Sequence, residues 1–135
     1  MSANLQRPIV VVEDNEDDSY LLTRQLIRAQ IDDHVAVFGN GEDALEFLLR
    51  TSQVPLVIFL DLRLPGLSGV DLLKRVRREP RLQAVPVIVM TGYLDSQDVK
   101  ACERLGVTTY LPKPISLTVF IKAVAHLFPH KSVSG

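Results

Sequence analysis

The sequence predicts an α/β fold: a doubly wound, five-stranded parallel sheet with helices on both faces. Three observations predict it. Short apolar runs alternate with longer amphipathic stretches along the whole chain. Three of the runs, Ile9–Val12, Leu56–Leu60 and Val87–Met90, are continuous rather than alternating, the pattern of strands covered on both faces. Capping and stop residues also punctuate the stretches between the runs.

The first strand, Ile9–Val12, gives way to the acids Glu13 and Asp14. A helix over Asp17–Ala29 opens with acids and closes with Arg24 and Arg28, which matches the helix dipole. Val35–Phe38 is a weaker strand signal, as edge strands often are. Asn40 can cap a helix that runs through Arg50, with Glu42 and Asp43 in its first turn. After the third strand, Ser68 precedes a helix carrying Val70, Leu72, Leu73 and Val76, which Pro80 stops. After the fourth, Asp95 or Ser96 begins a helix that Gly106 ends as a C-cap. Thr109–Leu111 is the second weak strand, and Ser116 begins the last helix, which Pro129 ends. Parallel strands joined by helical crossovers favour the flavodoxin-like order 2-1-3-4-5. Residues 1–7 read as a lead-in, 8–128 as a single domain and 129–135 as a tail.

A chain of 135 residues with 47% apolar content can bury a core without disulfides or a structural metal. Its one cysteine, Cys102, excludes an internal disulfide framework and suits a reducing compartment. The net charge of −1 gives the whole molecule no electrostatic pull toward nucleic acid or anionic membrane. The basic stretch Lys74–Arg78 reads as a solvated helix face rather than a DNA contact. No apolar run approaches the roughly 18 residues of a membrane span, so a cytoplasmic location is expected.

In a sheet of this kind, ligands bind at the carboxyl ends of the strands. Glu13 and Asp14 follow the first strand, Asp61 ends the third, Thr91 ends the fourth and Lys113 follows the fifth. Each has a bland explanation alone: acids start helices, a turn aspartate precedes Pro65-Gly66, and a lysine is a solvated charge. Together they place three carboxylates on one rim, where mutual repulsion calls for a cation. Magnesium suits an all-oxygen set. Zinc does not, because no histidine or second cysteine joins it, and His34, His126 and His130 read as surface residues. With the metal in place, Asp61 is a plausible nucleophile toward a phosphoryl donor, and Lys113 and the Thr91 hydroxyl would partner the remaining oxygens.

The segments VVVEDN at 10–15, FLDLRLPGLSG at 59–69, VIVMTG at 87–92 and YLPKP at 110–114 carry a resemblance. In order and spacing, the sequence resembles the receiver domains of two-component response regulators over roughly residues 8–128. The resemblance implies a phosphoacceptor at Asp61 and magnesium ligands from Glu13, Asp14, Asp61 and the backbone carbonyl of Arg63. Thr91 resembles the family's switch hydroxyl, Lys113 its conserved lysine, and Lys113-Pro114 its usual cis peptide. The acidic pair is Glu-Asp rather than the commoner Asp-Asp, so Asp14 is expected to ligate directly and Glu13 through water. Arg63 stands where the family tunes phosphate lifetime. Its side chain is expected to hinder hydrolytic water, which an Arg63→Ala variant with unchanged phosphoryl decay would refute.

The resemblance also implies that Tyr110 is the switch aromatic, turning into space that Thr91 vacates. By its own residue pattern it reads equally as a half-buried strand tyrosine with its hydroxyl in water. On the last helix, Leu117, Phe120, Ile121, Val124, Leu127 and Phe128 form a stripe that can face the sheet, while Val119 and Ala123 lie outside it. That apolar arc is wider than a surface helix needs, so a homodimer or target contact is expected across the fourth helix, fifth strand and last helix.

The implied partner is a sensor histidine kinase or phosphotransfer protein, with phytochrome-type kinases as one class. The chain is expected to catalyse only its own phosphorylation and slow dephosphorylation. Competing readings are weaker. A haloacid-dehalogenase-like phosphatase needs a second acid at position 63, a flavin carrier would meet repulsion from Glu13-Asp14, and the G-x-x-x-x-G-K-[ST] motif of GTPases is missing. A receiver-shaped module that is never phosphorylated is the remaining alternative.

Overall fold

A computed structural model describes residues 7–31, 34–92, 95–107 and 109–127, apart from the His126 side chain. The expectations for residues 1–6, Phe128, Pro129, His130 and the tail lie outside the described residues.

Five strands form one parallel sheet: β1 Ile9–Val12, β2 Val35–Phe38, β3 Val57–Asp61, β4 Val87–Thr91 and β5 Thr109–Pro112. Their order is β2-β1-β3-β4-β5, the flavodoxin-like order, and the two weak sequence signals are indeed the two edges. The helices are α1 Glu16–Arg28, α2 Gly41–Arg50, α3 Gly69–Arg78, α4 Ser96–Arg104 and α5 Leu117–Val124. A short 3-10 turn, Ala125–Leu127, continues the last one.

Alternating strand residues feed two separate cores, which explains why the runs are continuously apolar. Val10, Val12, Ile58, Leu60, Val87 and Val89 pack against Leu48 of α2, Leu72 and Val76 of α3 and Cys102 of α4. Ile9, Val11, Val57, Phe59, Ile88 and Met90 pack against Leu22 and Leu26 of α1 and Phe120 and Val124 of α5. Phe59 and Phe120 stack with ring centroids 6.0 Å apart. Each fully buried side chain of this size contributes about 1.5–3 kcal/mol, so the two layers dominate stability.

Each of these five α-helices starts on a side-chain cap that accepts the N–H three residues on. The caps are Asn15, Asn40, Ser68, Asp95 and Ser116. Asn15 moves the start of α1 to Glu16, one residue before the expected Asp17, because its side chain accepts from Asp18 at 3.0 Å. Gly106 follows α4 at φ +83, the left-handed conformation that favours glycine in a helix C-cap.

Two further expectations need correction. The third strand begins at Val57 rather than Leu56, whose N–H instead donates to the carbonyl of Pro8 at 2.8 Å. On α5, Ala123 is buried against the sheet rather than outside the stripe, because it shares with Val124 the turn that follows Phe120. Val119 does remain exposed, at 39%.

Candidate functional site

The register of the sheet sets the site. Val12 pairs with Leu60, so Glu13 and Asp61 stand on the next rung side by side. Asp61 pairs with Met90, which puts Thr91 one step beyond it. Thr91 in turn pairs with Pro112, and the N–H of Lys113 donates to the Thr91 carbonyl at 3.1 Å. Residues up to a hundred positions apart thus reach one rim.

Asp61 is buried and held at both oxygens. Its Oδ1 accepts the Arg63 N–H at 2.9 Å, and its Oδ2 accepts from the Lys113 ammonium at 3.0 Å. Close packing behind it leaves no slack. A Cβ on Gly69, the first residue of α3, would fall 2.5 Å from the Asp61 carbonyl oxygen. Glycine therefore lets the start of α3 press directly on the strand end.

Glu13 is also buried, while Asp14 faces solvent. Glu13 Oε2 accepts the Asn15 N–H at 3.1 Å. Its Oε1 lies 2.5 Å from the Lys113 ammonium, an ion pair by distance though not aimed as a hydrogen bond. Burial pushes the Glu13 carboxyl up to about 7; Lys113 opposes that rise and Asp61 reinforces it. Lys113 moves the other way from what its burial alone would do. Burial lowers its affinity for a proton, but the ion pairs with Glu13, Asp61 and Asp18 outweigh that and hold the ammonium above its ordinary range.

Thr91 is buried at the end of β4. The Arg63 guanidinium stays on the rim beside α4, with one nitrogen 3.6 Å from the Asp98 carboxylate. The Lys113-Pro114 peptide is cis. Tyr110 on β5 is half-buried, yet its hydroxyl oxygen is sealed from solvent and has no hydrogen-bond partner among the described residues. The reading with the hydroxyl in water is therefore overturned: the side chain leans inward, and burial, with Cys102 and Glu103 nearby, raises its pKa.

One oxygen from each of Glu13, Asp14 and Asp61 lies within 4.8 Å of the others. An all-carboxylate set of that size fits a hard divalent cation. When the acids are ionised, the single ammonium of Lys113 cannot balance them. Sequence reasoning missed one member of the cluster. Asp18, in the first turn of α1, reaches Lys113 with its Oδ2 3.1 Å from the ammonium. Its one signal was its place three residues after the cap, where side chains lean back toward the helix start.

Residues 9–125 match the response regulator receiver domain family. The chain belongs to that family. Response regulator Rcp1 of Synechocystis sp. is 32% identical to this receiver over 127 residues, covering 90% of the receiver and 86% of Rcp1. The Mn2+-bound form of Rcp1 superposes with a TM-score of 0.76 at 30% identity, covering 96% of the receiver and 99% of that chain. The bacteriophytochrome response regulator RtBRR gives a TM-score of 0.80 at 34% identity, covering 90% of the receiver and 77% of that chain. No helix among the described residues is long and apolar enough to cross a membrane.

Proposed function

We propose that this receiver, spanning residues 8–128, accepts a phosphoryl group on Asp61 from a phosphohistidine and thereby switches a protein-interaction surface. The observation that carries the reading is the clamped Asp61 carboxylate, set between the Arg63 N–H and the Lys113 ammonium beside the acidic pair. An Asp61 oxygen attacks phosphorus and forms an acyl phosphate. The phosphorus–nitrogen bond to the donor imidazole breaks, and its electron pair stays on that nitrogen, which takes up a proton. Lys113 and the Thr91 hydroxyl bind the oxygens of the transferred group.

Glu13, Asp14, Asp61 and the Arg63 carbonyl would hold Mg2+, which when bound supplies charge neutralisation of the phosphoryl oxygens. The exposed Asp14 suits direct ligation, and Glu13, with both oxygens engaged, suits a water-bridged role. Mn2+ in the Rcp1 structure supports a divalent cation at such a site. The name of the relative RtBRR supports a phytochrome-type kinase as donor.

The bound phosphoryl group draws Thr91 inward, and Tyr110 moves with it, so that β5 reports the change to α4 and α5. Partly exposed apolar side chains on α5, Val119 above all, support a homodimer or target contact on that face. We place the protein in the cytoplasm, turning over no substrate beyond its own phosphoryl group.

The test is intact mass after incubation with acetyl phosphate, with and without Mg2+, for the wild type and Asp61→Asn. A Mg2+-dependent gain of one phosphoryl group, absent from the variant, is expected. A folded wild type that gains nothing would leave an interaction module that is never phosphorylated.

A further inference from the structure

Asp18 sits in this cluster without a part in the chemistry described so far. The ammonium of Lys113 has three N–H donors and faces three carboxylates: Glu13 at 2.5 Å, Asp61 at 3.0 Å and Asp18 at 3.1 Å. The first two differ from the third in what else they can do. Glu13 and Asp61 belong, with Asp14, to the set whose oxygens lie close enough to share a cation. Asp18 is outside that set.

A divalent cation therefore draws on the charge of two of the three carboxylates that Lys113 faces and leaves the hold of Asp18 intact. Asp18 is itself well fixed. Its N–H is capped by Asn15 Oδ1 at 3.0 Å, and the Asn15 N–H donates to Glu13 Oε2 at 3.1 Å. Its side chain is 29% exposed and that of Lys113 16%, so water screens the pair far less than it would at a bare surface. Lysine reaches the site on a flexible four-carbon stem. Without a second anchor, its ammonium would follow whichever carboxylate was free.

We propose that Asp18 is a positioning residue that keeps the Lys113 ammonium beside Asp61 for the incoming phosphoryl group while the cation is bound. The inference rests on the function proposed above. It assigns Asp18 to the rate of phosphoryl transfer and not to metal affinity, and that split is what a merely structural residue would not produce.

The experiment uses the full chain as wild type, Asp18→Asn, Asp18→Glu and Asp14→Asn. Phosphorylation by acetyl phosphate is followed by intact mass at saturating Mg2+, and Mg2+ binding is measured by calorimetry. Asp18→Asn should slow phosphorylation by about tenfold, the loss of one partly buried ion pair to the ammonium. Its Mg2+ affinity should stay within about threefold of wild type, since Asp18 acts on the cation only at a distance. Asp18→Glu, which restores the carboxylate on a longer stem, should recover part of the rate.

Phosphorylation of Asp18→Asn at the wild-type rate would overturn the proposal. So would a Mg2+ affinity as poor as that of Asp14→Asn, which would make Asp18 part of the metal site. An Asp18→Glu variant as slow as Asp18→Asn would trace the loss to the shape of the first turn of α1 and also overturn it. A wild type that takes no phosphoryl group would sink the receiver function and this inference together; a phosphorylated wild type matched by Asp18→Asn would sink only the inference.

Discussion

Two partly buried cations stand at opposite ends of the strands, and their surroundings differ in kind. Lys113, at the carboxyl end of the sheet, faces carboxylates, which hold its proton more tightly than usual. Arg77, at the amino end, faces neutral carbonyls. Its Nε donates to Leu105 at 2.8 Å, and its Nη1 faces the carbonyls of Leu82, Gln83 and Val85 at 3.2, 3.1 and 2.8 Å. Burial lowers the Arg77 pKa. The lesson is about exchangeability. Lys113 is a compact ammonium among anions that a metal and a phosphoryl group would compete for, so its partners can change. Arg77 is a planar fork that ties the end of α3 to the end of α4 and to the chain entering β4, where nothing competes. Under the proposed function, one end of the molecule is arranged to switch and the other to stay put.

The largest test of that contrast is Lys113→Ala. Losing the ammonium beside the reacting oxygen should slow Mg2+-dependent phosphorylation by about 10²-fold, the scale seen for removing one charge-stabilising donor. A rate close to wild type in the mass assay would mean that Lys113 is only a counter-ion. Arg77→Ala should do the reverse. It strips donors from four carbonyls and removes the packed stem, lowering unfolding stability by about 2–3 kcal/mol in a urea titration. Its phosphorylation rate, measured well below the unfolding midpoint, should stay within about twofold of wild type, as expected for a distant site. A variant slowed like Lys113→Ala would show that the two ends are coupled.

The contrast was only half legible in the sequence. The rim residues could be found because each stands directly after an apolar run, and a parallel sheet gathers such positions at one edge. The same alternation predicted the strand order, and capping residues marked the helix starts except that of α1, whose Asn15 cap was not foreseen. Arg77 left no such trace. In a basic stretch it reads as solvated, and only the packing of α3 against the loop before β4 turns it inward. Asp18 was hidden for a related reason: acids crowd the first turn of α1, and the sequence does not say which of them leans toward a lysine almost a hundred residues away. The inward lean of Tyr110 depends on how α4 closes over β5, which no local pattern encodes.

Protons offer a third test at the switching end. In the metal-free protein the Glu13 carboxyl titrates near 7, against an ordinary value of 4.5. The folded chain thus binds this proton more tightly than the unfolded chain. Its stabilising contribution is complete below about pH 4.5 and is lost as pH rises through 7. Urea unfolding without metal should therefore show stability falling by roughly 1–2 kcal/mol between pH 5.5 and 8. Saturating Mg2+ favours the ionised carboxylate and should remove the trend, as should Glu13→Gln. A metal-free protein whose stability is flat over that range would mean that Lys113 fully compensates the burial of Glu13.

The smallest expected effect concerns β5, the strand that leads into Lys113. The Tyr110 hydroxyl is buried with no hydrogen-bond partner among the described residues, so the inward position costs the desolvation of a polar group. Tyr110→Phe removes that cost and keeps the ring. It should stabilise the unphosphorylated protein by about 0.5–1 kcal/mol and raise Tm by a few degrees. The same change favours the inward position over any outward one, where a hydroxyl would regain water. A Tyr110→Phe protein that melts lower than wild type would mean that the hydroxyl has a bonding partner at rest. In that case the strain at this end would lie in the carboxylates around Lys113 alone.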